Sequence, residues 1–211
     1  MRKKIRFFNQ NIFEEGNVKN YETCGIACIL MILDLYRREN PTKSLARQMY
    51  GSYKSEAYGR GILGSTIAYV LSKRGLTVSL MHSSAEILDN KGQYFEKKLF
   101  DSLLEEWKWY MEKCQNSAKI LTGVTITCDT IKEQILCGKQ VILLSLVDGN
   151  ADGMHEKVLH WIVVYGYQEN KFLVCDPGKC KRSFLEEELW EYIDTPLGQI
   201  CITVEEGKSL R

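Results

Sequence analysis

The sequence predicts an α+β domain in which a helical N-terminal half packs on a C-terminal antiparallel sheet. Two observations carry this. Up to Cys137 most apolar residues recur at helical spacing, while from Gln140 onward short Val-, Ile- and Leu-rich runs alternate with turn residues. Helices therefore come first and strands last, the order of an α+β chain split into two halves. The 211 residues suit one domain, or one domain with an insertion, and suffice to bury a substantial core.

Each element has a local reason. Residues 4–10 alternate loosely, with Phe7 and Phe8, and predict a short strand ending at Asn9-Gln10; polar, Gly-containing residues 11–23 follow as a loop. The first helix is expected from Cys24 to Arg38, apolar on nearly every side, as a helix inside a core must be. Pro41 lies past its end, and Ser44 is the expected cap of a second helix through Met49. A third helix, Ile62 to Arg74, stops at Gly75, and Leu76–Met81 reads as a strand. Tyr94–Cys114 sets Phe95, Leu99, Leu103, Trp107 and Tyr110 on one helical face. Asp129 and Gly138 bracket a short helix, 130–137. Strands are expected at 140–147, 158–167, 171–176 and 199–204, with a helix from Phe184 to Ile193 before the last.

Bulk properties exclude several classes. A net charge of +1 gives no electrostatic bias toward nucleic acid or an anionic membrane. The basic N-terminus lacks a signal peptide's apolar stretch, and no run approaches the ~18 apolar residues of a membrane span, so a cytoplasmic protein is expected. There are eight cysteines without a Cys-x-x-Cys pair; the nearest metal-like spacing, Cys175-x4-Cys180, is too loose to predict zinc. A disulfide framework does not suit a reducing compartment. No Gly-rich Lys-Ser/Thr loop follows a strand, so no nucleotide site is expected. No cofactor or metal is expected.

Three separated residues carry the chemistry. Cys24 opens the first helix, where unpaired backbone N–H groups and the positive end of the macrodipole favour thiolate. His160 begins the apolar run Trp161-Ile162-Val163-Val164, and a turn at 168–171 returns the chain to Asp176-Pro177-Gly178. Antiparallel neighbours can bring His160 and Asp176 together. Nucleophile, base and orienting carboxylate thus occur in the order a cysteine hydrolase needs. Each has a plainer reading: Cys24 as a core thiol like Cys28, His160 as a core histidine, Asp176 as a turn residue and Gln10 as a solvated amide. His155 and Glu156 read as solvated loop residues, and His82 as a strand end without a partner. The stripe Trp107, Trp109 and Tyr110 reads as a packing face.

Cys24-Gly25-x-Ala27-Cys28 at a helix start, with His160 and Asp176-Pro177 on paired strands, resembles the C39-type cysteine peptidases of the papain-like superfamily. Ser44-Leu45, the Gly61-to-Leu76 segment and the Ser183-Phe184 step before an acidic helix extend the resemblance over about 5–82 and 138–204. It implies a papain-like fold and a peptide or acyl substrate. It also implies an oxyanion-binding Gln shortly before the nucleophile, but the usual position falls on Val18, which has no side-chain donor. Gln10, at the end of the first expected strand, is the preferred substitute, with Asn17 and Asn20 as alternatives. Residues 83–127 are expected to form a helical insertion near the cleft. Three functions compete: hydrolysis of a peptide or amide bond through a Cys24 thioester, acyl transfer to an amine by the same residues, and a catalytically silent peptide-binding module. The oligomeric state is not legible.

Overall fold

The computed structural model describes residues 5–10, 23–86, 88–149 and 156–207. Helices α1 (Cys24–Leu35), α2 (Lys43–Tyr53) and α3 (Gly64–Lys73) precede strand β1 (Thr77–His82). A single 3-10 turn (Lys91–Gln93), α4 (Lys97–Cys114), β2 (Ala118–Thr122) and α5 (Cys128–Leu136) follow. The remainder is β3 (Gln140–Gly149), β4 (Glu156–Gln168), β5 (Lys171–Cys175), β6 (Lys181–Phe184), α6 (Glu186–Ile193) and β7 (Ile200–Glu205).

The α+β expectation is met, with one seven-stranded sheet in the order β2-β1-β7-β3-β4-β5-β6. All pairings are antiparallel except β1 with β2. Because strand side chains alternate between faces, the sheet supports two cores. Ile142, Leu144, Trp161 and Val163 join the core made with α1, α3 and α4. Val141, Leu143, Ile162 and Val164 join Ile131 of α5 and Leu189 and Ile193 of α6 on the other side. Every residue of α1 is buried except Asp34, which explains its lack of a polar face.

Several boundaries differ from expectation for identifiable reasons. Thr42, not Ser44, caps α2, its hydroxyl accepting from the Leu45 N–H at 3.1 Å. Thr127 caps α5 two residues earlier than Asp129 would. Residues 5–9 are not a strand: Gln10 N–H donates to the Pro177 carbonyl and Lys181 Nζ to that of Ile5, so the segment bonds to a turn and a side chain rather than a ladder. Strands β2 and β6 escaped the sequence pattern. They are short edge strands of five and four residues, with mixed burial and little alternation to reveal them. All eight cysteines are free thiols.

Candidate active site

The site forms where the sheet has an open edge. β4 pairs with β3 from Val164 back to Glu156, but its pairing with β5 stops at Val163–Cys175. Beyond that point the mouth of α1 takes the place of β5. The Trp161 N–H donates to the Cys24 sulfur at 3.5 Å. The Trp161 indole donates to the Ile62 carbonyl at 2.9 Å, tying β4 to the loop before α3.

This close approach requires Gly25. A Cβ there would lie 2.0 Å from Ile62 Cγ2 and 3.1 Å from Trp161 Cδ1, so any side chain would push the helix mouth off the loop before α3 and crowd the strand. Gly64 plays a similar part at the start of α3, where a Cβ would meet Trp107 at 2.7 Å and Trp161 at 3.0 Å.

His160, beside Trp161 on β4, is a side-chain hydrogen-bond partner of Cys24. Its Nε2 lies 2.7 Å from Asp176 Oδ1, which leaves Nδ1 for the sulfur. Asp176 Oδ1 also accepts from the Gly178 N–H at 3.0 Å, closing a turn that fixes the carboxylate on its own backbone. The three side chains separated in the chain therefore meet in one line of contacts, all of them buried.

Electrostatics sets Cys24 apart from the other buried thiols. Burial pushes its thiol up, but the His160 charge, the hydrogen bond to His160 and N–H donors from Trp161 and Gly25 leave it below its ordinary value. Burial alone governs Cys201, pushed up to about 12, and dominates at Cys175, also about 12, and Cys114, about 11. Cys28, one turn beyond Cys24, is raised well above the usual range by burial first, then by the neighbouring Cys24, Cys175 and Asp176 charges. For His160, burial pulls down, yet the Cys24 charge and the Asp176 and Cys24 hydrogen bonds raise it to about 9. Burial pushes Asp176 up, and the His160 hydrogen bond and charge outweigh this and hold its carboxyl below the usual range. The arrangement favours a thiolate–imidazolium pair.

Gln10 is brought to the same place. It is buried, contrary to its default as a solvated amide. Its backbone N–H donates to the Pro177 carbonyl at 3.0 Å, and its own carbonyl accepts from the Thr23 hydroxyl at 2.7 Å. A Cβ on Gly178 would sit 3.4 Å from Gln10 Nε2 and 3.3 Å from His160 Cε1, which puts the amide beside the imidazole. Thr23 precedes Cys24 and makes no side-chain cap to α1, its hydroxyl serving Gln10 instead. The first intrahelical bond runs from Ala27 N–H to the Thr23 carbonyl, so the Cys24 N–H has no acceptor within its helix. Val18, Asn17, Asn20 and His155 lie outside the described residues. His82 is fully buried with its ring edge-on to Trp107, whereas Trp109 at the end of that stripe is half exposed. Among the described residues no group of three or more His, Cys, Asp or Glu side chains is disposed to hold a metal.

Sequence reasoning missed Trp161 as a backbone donor, Thr23 as the tether of Gln10, and Arg182, whose Nη1 lies 3.6 Å from Asp176 Oδ2. Only Gly25 left a trace in the sequence, as a poor helix former inside a buried helix.

A buried helix carrying a thiol at its mouth, set against an antiparallel sheet carrying imidazole and carboxylate, is the architecture of the papain-like peptidases. The chain matches the Peptidase_C39 like family over residues 2–195 and belongs to it. It shares its fold with a Bacillus anthracis protein described as a C39-like peptidase, at 10% identity and a TM-score of 0.53, over 98% of this chain and 97% of that one. It is also similar to a double glycine motif protease from an AMS/PCAT transporter, solved with a leader peptide. That likeness has 15% identity and a TM-score of 0.47, over 97% and 94% of the two chains. No curated protein matches the sequence. Among the described residues no helix is long and apolar enough to cross a membrane.

Proposed function

We propose that the protein is a cysteine hydrolase that cleaves a peptide or amide bond, with Cys24 as nucleophile, His160 as acid and base, and Asp176 as the group that orients the imidazole. The observation that carries this reading is the contact line from the Cys24 sulfur through the His160 ring to Asp176 Oδ1, the last step 2.7 Å long. The thiolate adds to the substrate carbonyl carbon. As the tetrahedral intermediate collapses the C–N bond breaks, and the Nδ1 proton of His160 passes to the departing amine. A thioester remains on Cys24. Water then adds to it, giving a proton to His160, and the acid leaves as the C–S bond breaks.

The developing oxyanion needs donors, and the Cys24 N–H and the Gln10 amide are assigned to it. One such donor contributes about 3–4 kcal/mol in hydrolases where it has been removed. Residues 83–127, which include α4 and β2, are assigned to substrate selection: Glu106 of α4 grips Ser55 Oγ at 2.8 Å and the Ala57 N–H at 3.0 Å in the loop that reaches Ile62.

The test is intact-mass measurement after exposure to a panel of peptide aldehydes and activated esters. An adduct that disappears in both Cys24→Ala and His160→Ala supports the reading, and its absence across the panel favours a silent peptide-binding module. A thioester that persists in water and is discharged only when an amine is added replaces hydrolysis by acyl transfer.

A further inference from the structure

We propose that Arg182 is a positioning residue of this site, holding the second oxygen of Asp176 and, through that carboxylate, the ring of His160; the inference rests on the hydrolase reading above. Asp176 spends one oxygen on His160 and the Gly178 N–H, at 2.7 and 3.0 Å. The other oxygen, Oδ2, is buried and makes no hydrogen bond. A buried carboxylate oxygen without a donor is costly unless a counter-charge faces it. Arg182 Nη1 is 3.6 Å away, too long for a hydrogen bond but well placed for charge attraction.

Arg182 is itself held. It stands on β6, opposite Val174, two residues before Asp176. Its Nη1 donates to the Tyr192 hydroxyl of α6 at 3.1 Å, and its guanidinium lies over the Phe184 ring at 4.6 Å from the centroid and beside Tyr192 at 5.7 Å. Planar stacking of this kind is what a guanidinium does well. A continuous line thus runs from Tyr192 through Arg182, Asp176 and His160 to Cys24.

The other charged or titratable groups around Asp176 leave this oxygen to Arg182. His160 of β4 occupies Oδ1. Cys24 acts on His160 from α1, and Cys28, also on α1, is held neutral by burial. Lys179, in the Asp176 turn, also holds that carboxyl down by its charge, but it is exposed to screening solvent, and Lys181 of β6 is spent on the Ile5 carbonyl.

The experiment follows the rate of Cys24 alkylation by iodoacetamide against pH, read at Cys24 by peptide mass so that the other thiols do not interfere. Arg182→Met keeps an apolar stem over the rings and removes the charge. It is expected to slow Cys24 alkylation near pH 6 about tenfold, the equivalent of one pH unit in the acid limb. Arg182→Lys is expected to recover most of this loss, and Lys179→Met to cost clearly less than Arg182→Met. Tyr192→Phe, which keeps both rings and frees the guanidinium, shifts the profile in the same direction by a smaller amount. It serves if Arg182→Met fails to fold by circular dichroism. Wild-type profiles in whichever of these two variants fold overturn the proposal. His160→Ala separates the two levels: if it leaves the wild-type profile intact, the hydrolase reading fails. If it abolishes the acid-side reactivity while Arg182→Met changes nothing, only the role of Arg182 fails.

Discussion

Trp161 gives its backbone N–H to the sulfur of Cys24, across 3.5 Å, at the point where β5 has left the edge of β4. A sheet donor that would otherwise pair with a strand is spent on a thiol. The thiol is thereby held by the sheet itself, and the neighbouring residue on the same strand is the imidazole that charges it.

The first expected outcome concerns pH. A thiol lowered by His160, and a His160 raised to about 9, give a thiolate–imidazolium pair over the interval between the two. With His160 as the acid of the proposed hydrolysis, turnover is expected to fall as pH rises through about 9. The acid limb lies below the ordinary thiol range. A pH–rate profile checks both limbs, and His160→Ala lowers turnover by about 100- to 10,000-fold.

Asp176 makes a prediction about stability. Its pKa is depressed in the folded chain, so its contribution is present above the unfolded carboxylate value and is lost as pH falls through the folded one. The Tm difference between wild type and Asp176→Asn should be widest near pH 6 and close as pH falls below the ordinary carboxylate range. A difference that stays constant over that range overturns the assignment of the depressed value to Asp176.

Gly25→Ala tests the close approach of α1 to β4 and to the loop that carries Ile62. With 2.0 Å between the new Cβ and Ile62 Cγ2, the cost is overpacking of about 1–3 kcal/mol, read as a lowered denaturation midpoint. Adding Ile62→Ala removes the obstacle, so the double variant should lose less stability than the two single changes sum to.

Thr23→Val removes the hydroxyl that holds the Gln10 carbonyl while leaving α1 without any loss of a side-chain cap. The stability cost should be about 1–3 kcal/mol, from one buried carbonyl left unpaired. The effect on kcat should resemble that of Gln10→Ala, which removes the proposed oxyanion donor, an expected loss of about 100- to 1,000-fold. Cys24 alkylation should be unchanged in Gln10→Ala, since the proposed role places that amide on substrate and not on sulfur.

Much of this was legible in the chain. The apolar fill of Cys24–Leu35, the turn at 168–171 and the strand carrying His160 each announced themselves by local pattern. Their meeting could be inferred because a hairpin brings His160 and Asp176 together whatever surrounds them. What stayed hidden depends on partners far away in sequence. Arg182 looks like any cation on a short polar stretch until β6 folds it against Asp176 and Tyr192. The Ile5–Gln10 segment alternates like a strand, yet its acceptors and donors are claimed by Lys181 and Pro177 before any ladder can form. Local propensity carried no information about either competition.

The burial of α1 on all sides has a kinetic meaning. Cys24 is anchored in the innermost part of the chain, so its side of the site is expected to open only with global denaturation. Asp176 and Arg182, by contrast, belong to the outermost hairpin, where β6 is four residues long and has one neighbour. Fraying of that margin would disconnect carboxylate from imidazole while the rest stayed native. Hydrogen exchange should therefore show faster amide turnover along 181–184 than along 26–33, and mild urea should abolish the proposed activity before it unfolds the protein.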